Sequence, residues 1–262
     1  MTRQLASAEH IIAPGVPRKT RVALLYSISA DLWQPWGYIH MLERRATYLA
    51  LVHDHYLVDM LTEEDVAAGR LADYDVLYTV DPNISTRATT AIEEWVRGGG
   101  YVYGACGAGS RDEFNEPTRG LGTVFGIEPA IRTEVRPEEY RVRGSLNWID
   151  YFDRIRLDRT ALLGERVAFG VLGVRIAFTP TSSQVIGRFR GDAPAAVMHD
   201  FGRGKAVYVG ACPGLSYLKD AGFVPTELKE RYPPVQRRVL TGLAAARGVA
   251  RLVELSDPVV EA

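Results

Sequence analysis

The stretch DVLYTVDPNISTRATTAIEEWVRGGGYVYGACGAG, Asp75 to Gly109, decides the fold. Its first six residues, Asp75 to Val80, are an apolar run of strand length, the kind buried on both faces of a parallel sheet. Ser85 then stands as an N-cap, a helical body runs through Arg97, and Gly98 to Gly100 supply the stop. A further apolar strand, Tyr101 to Cys106, follows at once. Strands separated by a helix of this length lie parallel, because the helix carries the chain back to the starting edge of the sheet.

The same grammar extends upstream. Arg21 to Ser27 (RVALLYS) is another nearly continuous apolar strand, and the segment from about Trp36 to His53 places Ile39, Leu42, Ala46, Leu49 and Ala50 at helical spacing. Tyr56 to Leu61 (YLVDML) reads as a short strand. Thr62, with Asp65 three residues later and Gly69 as a stop, marks a short capped helix. The second half reads differently. VAFGVLGVRIAF (167–178), QVIGRFR (184–190) and AAVMHDFG (195–202) are closely spaced strand candidates joined by turns such as Gly191-Asp192 and Gly202 to Gly204. With KAVYVGA (205–211) as a fourth such candidate, they predict an antiparallel extension before a final parallel strand. Pro233-Pro234 opens a last helix that Gly248 closes, and ARLVELS (250–256) is expected as a last strand. The expected fold is α/β, a doubly wound, mainly parallel sheet with an antiparallel extension in the second half. Residues 21–255 are read as a single domain with a variable insertion at about 128–165. Residues 1–20 are read as a tail or linker, and 256–262 as a tail or the lead into a following domain.

The chain has 262 residues, 47% hydrophobic and 24% charged, enough for one large core or two small ones. A formal net charge of -1 gives no general field for nucleic acid or an anionic membrane, so neither is expected as a partner. No run approaches the roughly 18 uninterrupted apolar residues of a membrane span, and the N-terminus lacks a signal pattern, so a cytoplasmic protein is expected. Two cysteines make no disulfide framework, and no Cys-x-x-Cys or His-x-x-x-His spacing suggests zinc. Neither a dinucleotide fingerprint nor a Walker sequence is present. No cofactor and no metal are expected.

Cys106 ends the decisive stretch within GACGAG. A sharp strand-to-helix turn between small residues exposes a nucleophile while backbone N–H groups face the developing oxyanion. Such a thiol also needs a base held by a third group. The only other cysteine, Cys212, closes a near-repeat, VYVGACPG (207–214).

Taken in order, RVALLYS, the run from Tyr74 through the triple glycine into SRDE (110–113), and GRGKAVYVGACPG (202–214) resemble the middle, trimerisation domain of bacterial beta-galactosidases of glycoside hydrolase family 42. The resemblance covers roughly Arg21 to Arg251 and implies a class I glutamine amidotransferase-like, flavodoxin-like fold. Active amidotransferases place the nucleophile in Gly-x-Cys-x-Gly and a His-Pro-Glu after the last core strand. Here Gly104-Ala105-Cys106-Gly107 matches the first part, Ala108 replaces the second glycine, and Cys212-Pro213-Gly214 stands where His-Pro-Glu would be. The resemblance therefore implies a pseudoenzyme with a vestigial Cys106, self-association as a homotrimer, a role in carbohydrate metabolism, and a glycoside hydrolase catalytic domain as a further partner. In that family the sugar chemistry belongs to a (β/α)8 barrel, which the residues ahead of Arg21 cannot supply.

Two other classes compete with this reading. One is a cysteine-dependent hydrolase using Cys106. The other is a small-molecule or sugar-binding module at the strand ends, where open α/β sheets take ligands at the topological switch point. If Cys106 and Cys212 end neighbouring strands there, they are a redox pair, a soft-metal site or two inert small residues. Asp112 and Glu113 are a paired-carboxylate candidate, set against a helix N-terminal charge or a salt bridge. Arg111 and Arg119 could fix their loop. Trp33, Trp36 and Tyr38 follow the first strand, where aromatics stack on sugars, line oligomer contacts or form a lid. A second aromatic cluster, Trp148, Tyr151 and Phe152, suits a contact surface.

Overall fold

The computed structural model describes residues 7, 9–15, 18–33, 38–135, 150–160, 162–219, 221 and 232–253. In chain order its strands are β1 (Val22–Tyr26), β2 (Val58–Thr62), β3 (Val76–Thr79), β4 (Tyr101–Ala105), β5 (Ile127–Val135), β6 (Asp153–Leu157), β7 (Val167–Val171), β8 (Val174–Pro180), β9 (Gln184–Phe189), β10 (Pro194–Phe201) and β11 (Gly204–Val209). The α-helices are α1 (Glu9–Ile12), α2 (Ile28–Trp33), α3 (Tyr38–His53), α4 (Glu63–Ala67), α5 (Thr86–Arg97), α6 (Gly122–Phe125), α7 (Pro213–Leu218) and α8 (Pro234–Ala246).

Nine strands form one sheet in the order β2-β1-β3-β4-β11-β10-β9-β6-β7. The first five are parallel throughout, in a flavodoxin-like order, with β11 returning late in the chain to pair beside β4. From β10 onward each neighbour runs antiparallel. The fold is thus the expected α/β sheet, mainly parallel on one side and antiparallel on the other.

Period-two alternation sorts the side chains. Val22, Leu24, Val76, Tyr78, Tyr103, Val207 and Val209 face the cluster under α3, α7 and α8. Ala23, Leu25, Leu77, Val102, Ala206 and Tyr208 face the other cluster, under α4, α5 and α6. Apolar groups on both faces explain why these strands read as unbroken hydrophobic runs. Each large side chain so buried stabilises the fold by about 1.5–3 kcal/mol.

The local signals act as expected in the first half. Thr62 and Asp65 form a reciprocal capping box on α4, and Ser85 accepts the Ala88 N–H at the start of α5. Several expectations are corrected elsewhere. The run 167–178 is two strands, broken at Gly173 with φ +74, and only β7 belongs to the main sheet. β8 pairs with β5 in a separate antiparallel ribbon and lies across the ends of β4 and β11, where Ile176 N–H donates to Gly210 and Arg175 bridges Ala211. Ala250 to Val253 form no strand; the rest of that segment lies outside the described residues. The turn after Cys106 leads into a loop rather than a helix, and α6 starts only at Gly122. Within the leading twenty residues the described part includes the single helical turn α1.

Candidate functional site

The site is built where β4 and β11 end side by side. Past their last paired residues, Ala105 and Val209, the Cys106 N–H donates to the Ala211 carbonyl at 3.0 Å. Cys106 sits in the left-handed region at φ +57, an uncommon conformation for a residue with a Cβ. That turn sends its sulfur toward Cys212, whose thiol donates to it across 2.8 Å. Both thiols are sealed: Cys106 is 5% exposed and Cys212 1%.

The surroundings disarm the elbow as a catalytic centre. Gly104 is required by packing, since a Cβ there would lie 2.3 Å from the Phe125 ring. Gly107 has φ +87, and a Cβ on it would meet Ile176 of β8 at 2.7 Å. Its backbone N–H, the donor that would face an oxyanion, instead meets the buried Tyr208 hydroxyl. The hydrogen bond from Cys212 pulls the Cys106 pKa down, but burial and the Glu43 and Asp81 carboxylates outweigh it, and the net shift is upward. Burial drives Cys212 well above its ordinary value. At neutral pH both stay thiols, so neither is an activated nucleophile.

Among the described residues no histidine partners Cys106. His53 pairs with the Tyr217 hydroxyl, His199 lies between Ser182 and the Val124 carbonyl, and His40 sits 3.8 Å from Asp31. The described residues also hold no group of three His, Cys, Asp or Glu side chains placed for a metal ion.

An acid does lie near the thiols, but on another element than the resemblance implied. Glu43 of α3 is fully buried, and its two oxygens accept the backbone N–H groups of Gly214 and Leu215 at 2.8 Å each, at the start of α7. Burial pushes its carboxyl up to about 8, against the pull of those two donors. Gly214 is small for this reason: a Cβ there would stand 2.9 Å from Glu43 Oε2. The sequence carries a signal for Glu43, since it falls on the stripe marked by Ile39, Leu42 and Ala46, where a charged residue is out of place.

The chain's switch point lies elsewhere, between β1 and β3, which corrects the expectation that the thiols occupy it. It is filled by the protein's own polar groups. Asp81, fully buried after β3, accepts from Arg44 at 2.7 Å and from the Ser27 N–H at 3.2 Å. Arg44 also reaches Asp31 at 2.9 Å and stacks over Tyr26. Burial raises the Asp81 carboxyl to about 6 despite Arg44. Glu63 ties three elements together, accepting from Ser29 on α2 and from the Ser85 N–H ahead of α5.

The remaining candidates scatter. Asp112 Oδ1 accepts the N–H groups of Phe114 and Glu116, closing its own turn. Glu113 caps α5 through the Thr86 N–H at 2.8 Å, the helix N-terminal role weighed above, and its carbonyl receives the Trp33 indole N–H at 2.7 Å. Arg111 holds the loop through the Asn115 carbonyl. Trp36 and Trp148 lie outside the described residues. A cavity of about 270 Å³ opens beside the elbow, lined by Ser110, Arg111, Arg119, Phe125, Ile127 and Tyr208 among others. Phe125, Ile127 and Tyr208 pack in the cluster on the opposite face of the sheet from Cys106, so the thiol does not line it.

No protein-family model matches the chain, and no curated protein sequence does. Solved structures do. The cold-adapted beta-galactosidase of Rahnella sp. R3 superposes with a TM-score of 0.73 at 15% identity over 99% of this chain and 36% of that one. Gan42B, a GH42 beta-galactosidase of G. stearothermophilus, gives 0.62 at 19% identity over 80% of this chain and 29% of that one. A putative ThuA-like protein of Bacteroides uniformis gives 0.55 at 13% identity, over 91% of this chain and 96% of that one. The chain therefore spans about a third of the length of these beta-galactosidases and nearly the whole of the ThuA-like protein. No described helix is long and apolar enough to cross a membrane. At these identities the likeness establishes a shared fold, the one that the strand order displays.

Proposed function

We propose that this chain is a non-catalytic oligomerisation domain of the beta-galactosidase kind, a pseudoenzyme that assembles with copies of itself, as a trimer by the resemblance. A glycoside hydrolase catalytic domain is its further partner. The observation that carries the reading is a closed elbow together with an open apolar face at the opposite margin of the parallel strands. Tyr26, Tyr48 and Met60 are exposed along a groove of about 580 Å³ between α3 and the β1–β2 margin, and α2 exposes Ile28, Leu32 and Trp33. β2 is the edge of the sheet, so its outer backbone groups are also unpaired by the sheet. Apolar and aromatic surface of this kind is what a self-complementary contact buries.

Light scattering of the full chain over a range of concentrations tests it. A mass above the monomer that falls on Tyr48→Glu or Met60→Glu is the expected result. A monomer at every concentration would sink the reading.

The cavity beside the elbow favours a second reading, a small-ligand module, because it combines apolar walls with Arg111, Arg119 and Ser110. Under that reading simple sugars or small carboxylates raise the melting temperature, and an Ile127→Trp filling variant abolishes the rise. An unchanged melting temperature across both ligand sets speaks against it.

A further inference from the structure

We propose that Cys106 and Cys212 are a dithiol–disulfide couple, closed by exchange with a small disulfide of the glutathione class and then shielded by the fold. The argument begins with placement. The backbone bond from Cys106 N–H to Ala211 fixes the two chain segments against each other. The positive φ of Cys106 turns its side chain across that junction, and the sulfurs stand 2.8 Å apart. A disulfide needs about 2.05 Å, so the sulfurs close the bond by moving less than about 1 Å.

Burial decides when the exchange happens. In the folded chain both thiols are covered, with β8 crossing the strand ends above them through Ile176 and Arg175. Their raised pKa values leave little thiolate there to attack a disulfide. Exchange therefore belongs to the folding chain, before the β8 ribbon settles. The Cys106 thiolate attacks glutathione disulfide, breaking its S–S bond and releasing one glutathione. The Cys212 thiolate then attacks the mixed disulfide at the Cys106 sulfur, forming the protein bond and releasing the second glutathione. Two protein thiols lose two electrons and two protons, and one glutathione disulfide is reduced to two glutathiones. The fold supplies the proximity that makes the second step intramolecular.

The product would join the end of β4 to the start of α7, bracing the junction that Glu43 caps. Such a bond changes no surface group, so it leaves the assembly face free to act in both redox states.

The test refolds the full chain from denaturant into buffers of graded reduced-to-oxidised glutathione ratio, followed by acid quench, alkylation and intact mass measurement. The expected species is lighter than the dithiol by two hydrogens, carries no alkyl group, grows as the buffer becomes more oxidising, and melts higher than the reduced chain. In Cys212→Ser the same buffers should leave Cys106 as a glutathione adduct. Two alkylated cysteines at every ratio, or wild type trapped as a single glutathione adduct, would overturn the proposal.

Discussion

Glu43→Gln is the sharpest test of how the site is held. The wild-type carboxyl is raised to about 8 in the folded chain, from an ordinary value of 4.5, by burial. A raised folded pKa means that the folded state keeps a proton the unfolded state releases. The stabilisation is therefore complete below about pH 4.5 and is lost as the pH climbs through about 8. Other buried groups act at lower pH. His40 and His53 are lowered to about 4 by burial, so their contribution grows as the pH rises from about 4 to 6.5. Asp81, raised from 3.8 to about 6, loses its contribution over that lower range. Between pH 6.5 and 8 Glu43 stands apart from these. One-proton linkage at about 1.4 kcal/mol per pH unit, tapering near pH 8, amounts to a loss of about 1.5 kcal/mol over that window. Glutamine keeps the shape but cannot titrate, and its amide NH₂ meets one of the Gly214 and Leu215 donors, a uniform cost of about 1–3 kcal/mol. Urea unfolding at pH 6.5 and 8, followed by tryptophan fluorescence, reads both effects. Wild type should lose stability across the window while Glu43→Gln stays flat. A variant retaining the wild-type slope would refute the assignment of that proton to Glu43.

Arg44→Met strands Asp81, which is fully buried, and should cost about 3–5 kcal/mol in chemical unfolding, with part recovered by adding Asp81→Asn. Gly214→Ala places a methyl 2.8 Å from the Ala46 Cβ and against Glu43, so a loss of about 1–3 kcal/mol is expected; a neutral result would mean that α7 slides freely on α3. Gly126 sits at φ +65, with the His199 ring and Ser182 hydroxyl each 2.9 Å from any added Cβ, and Gly126→Ala should lower the melting temperature by several degrees. Iodoacetamide should modify reduced, native Cys106 more slowly than free cysteine at neutral pH; a faster reaction would restore the cysteine-hydrolase reading.

Much of the parallel half was legible from sequence because its determinants are local. Apolar runs buried on both faces, the Thr62–Asp65 capping box and the Ser85 cap act within a few residues, and so marked β1, β3, β4, α4 and α5 without reference to anything distant. The near-repeat GACGAG and GACPG likewise placed two thiols at strand ends, and the pairing of β4 with β11 made them neighbours. What sequence alone could not decide depends on which distant groups meet. Val167 to Phe178 reads as one apolar strand, yet the break at Gly173 sends its halves to different sheets, because β8 covers the strand ends while β7 pairs with β6. Glu43 shows as a charge on an apolar stripe, but only the fold brings the Gly214 and Leu215 amides to it from 171 and 172 residues away. The elbow's silence as a nucleophile is tertiary in the same sense: small residues predict an exposed thiol, whereas the Tyr208 hydroxyl of β11 takes the Gly107 N–H, Ile176 of β8 lies against Gly107, and Cys212, just ahead of α7, engages the sulfur.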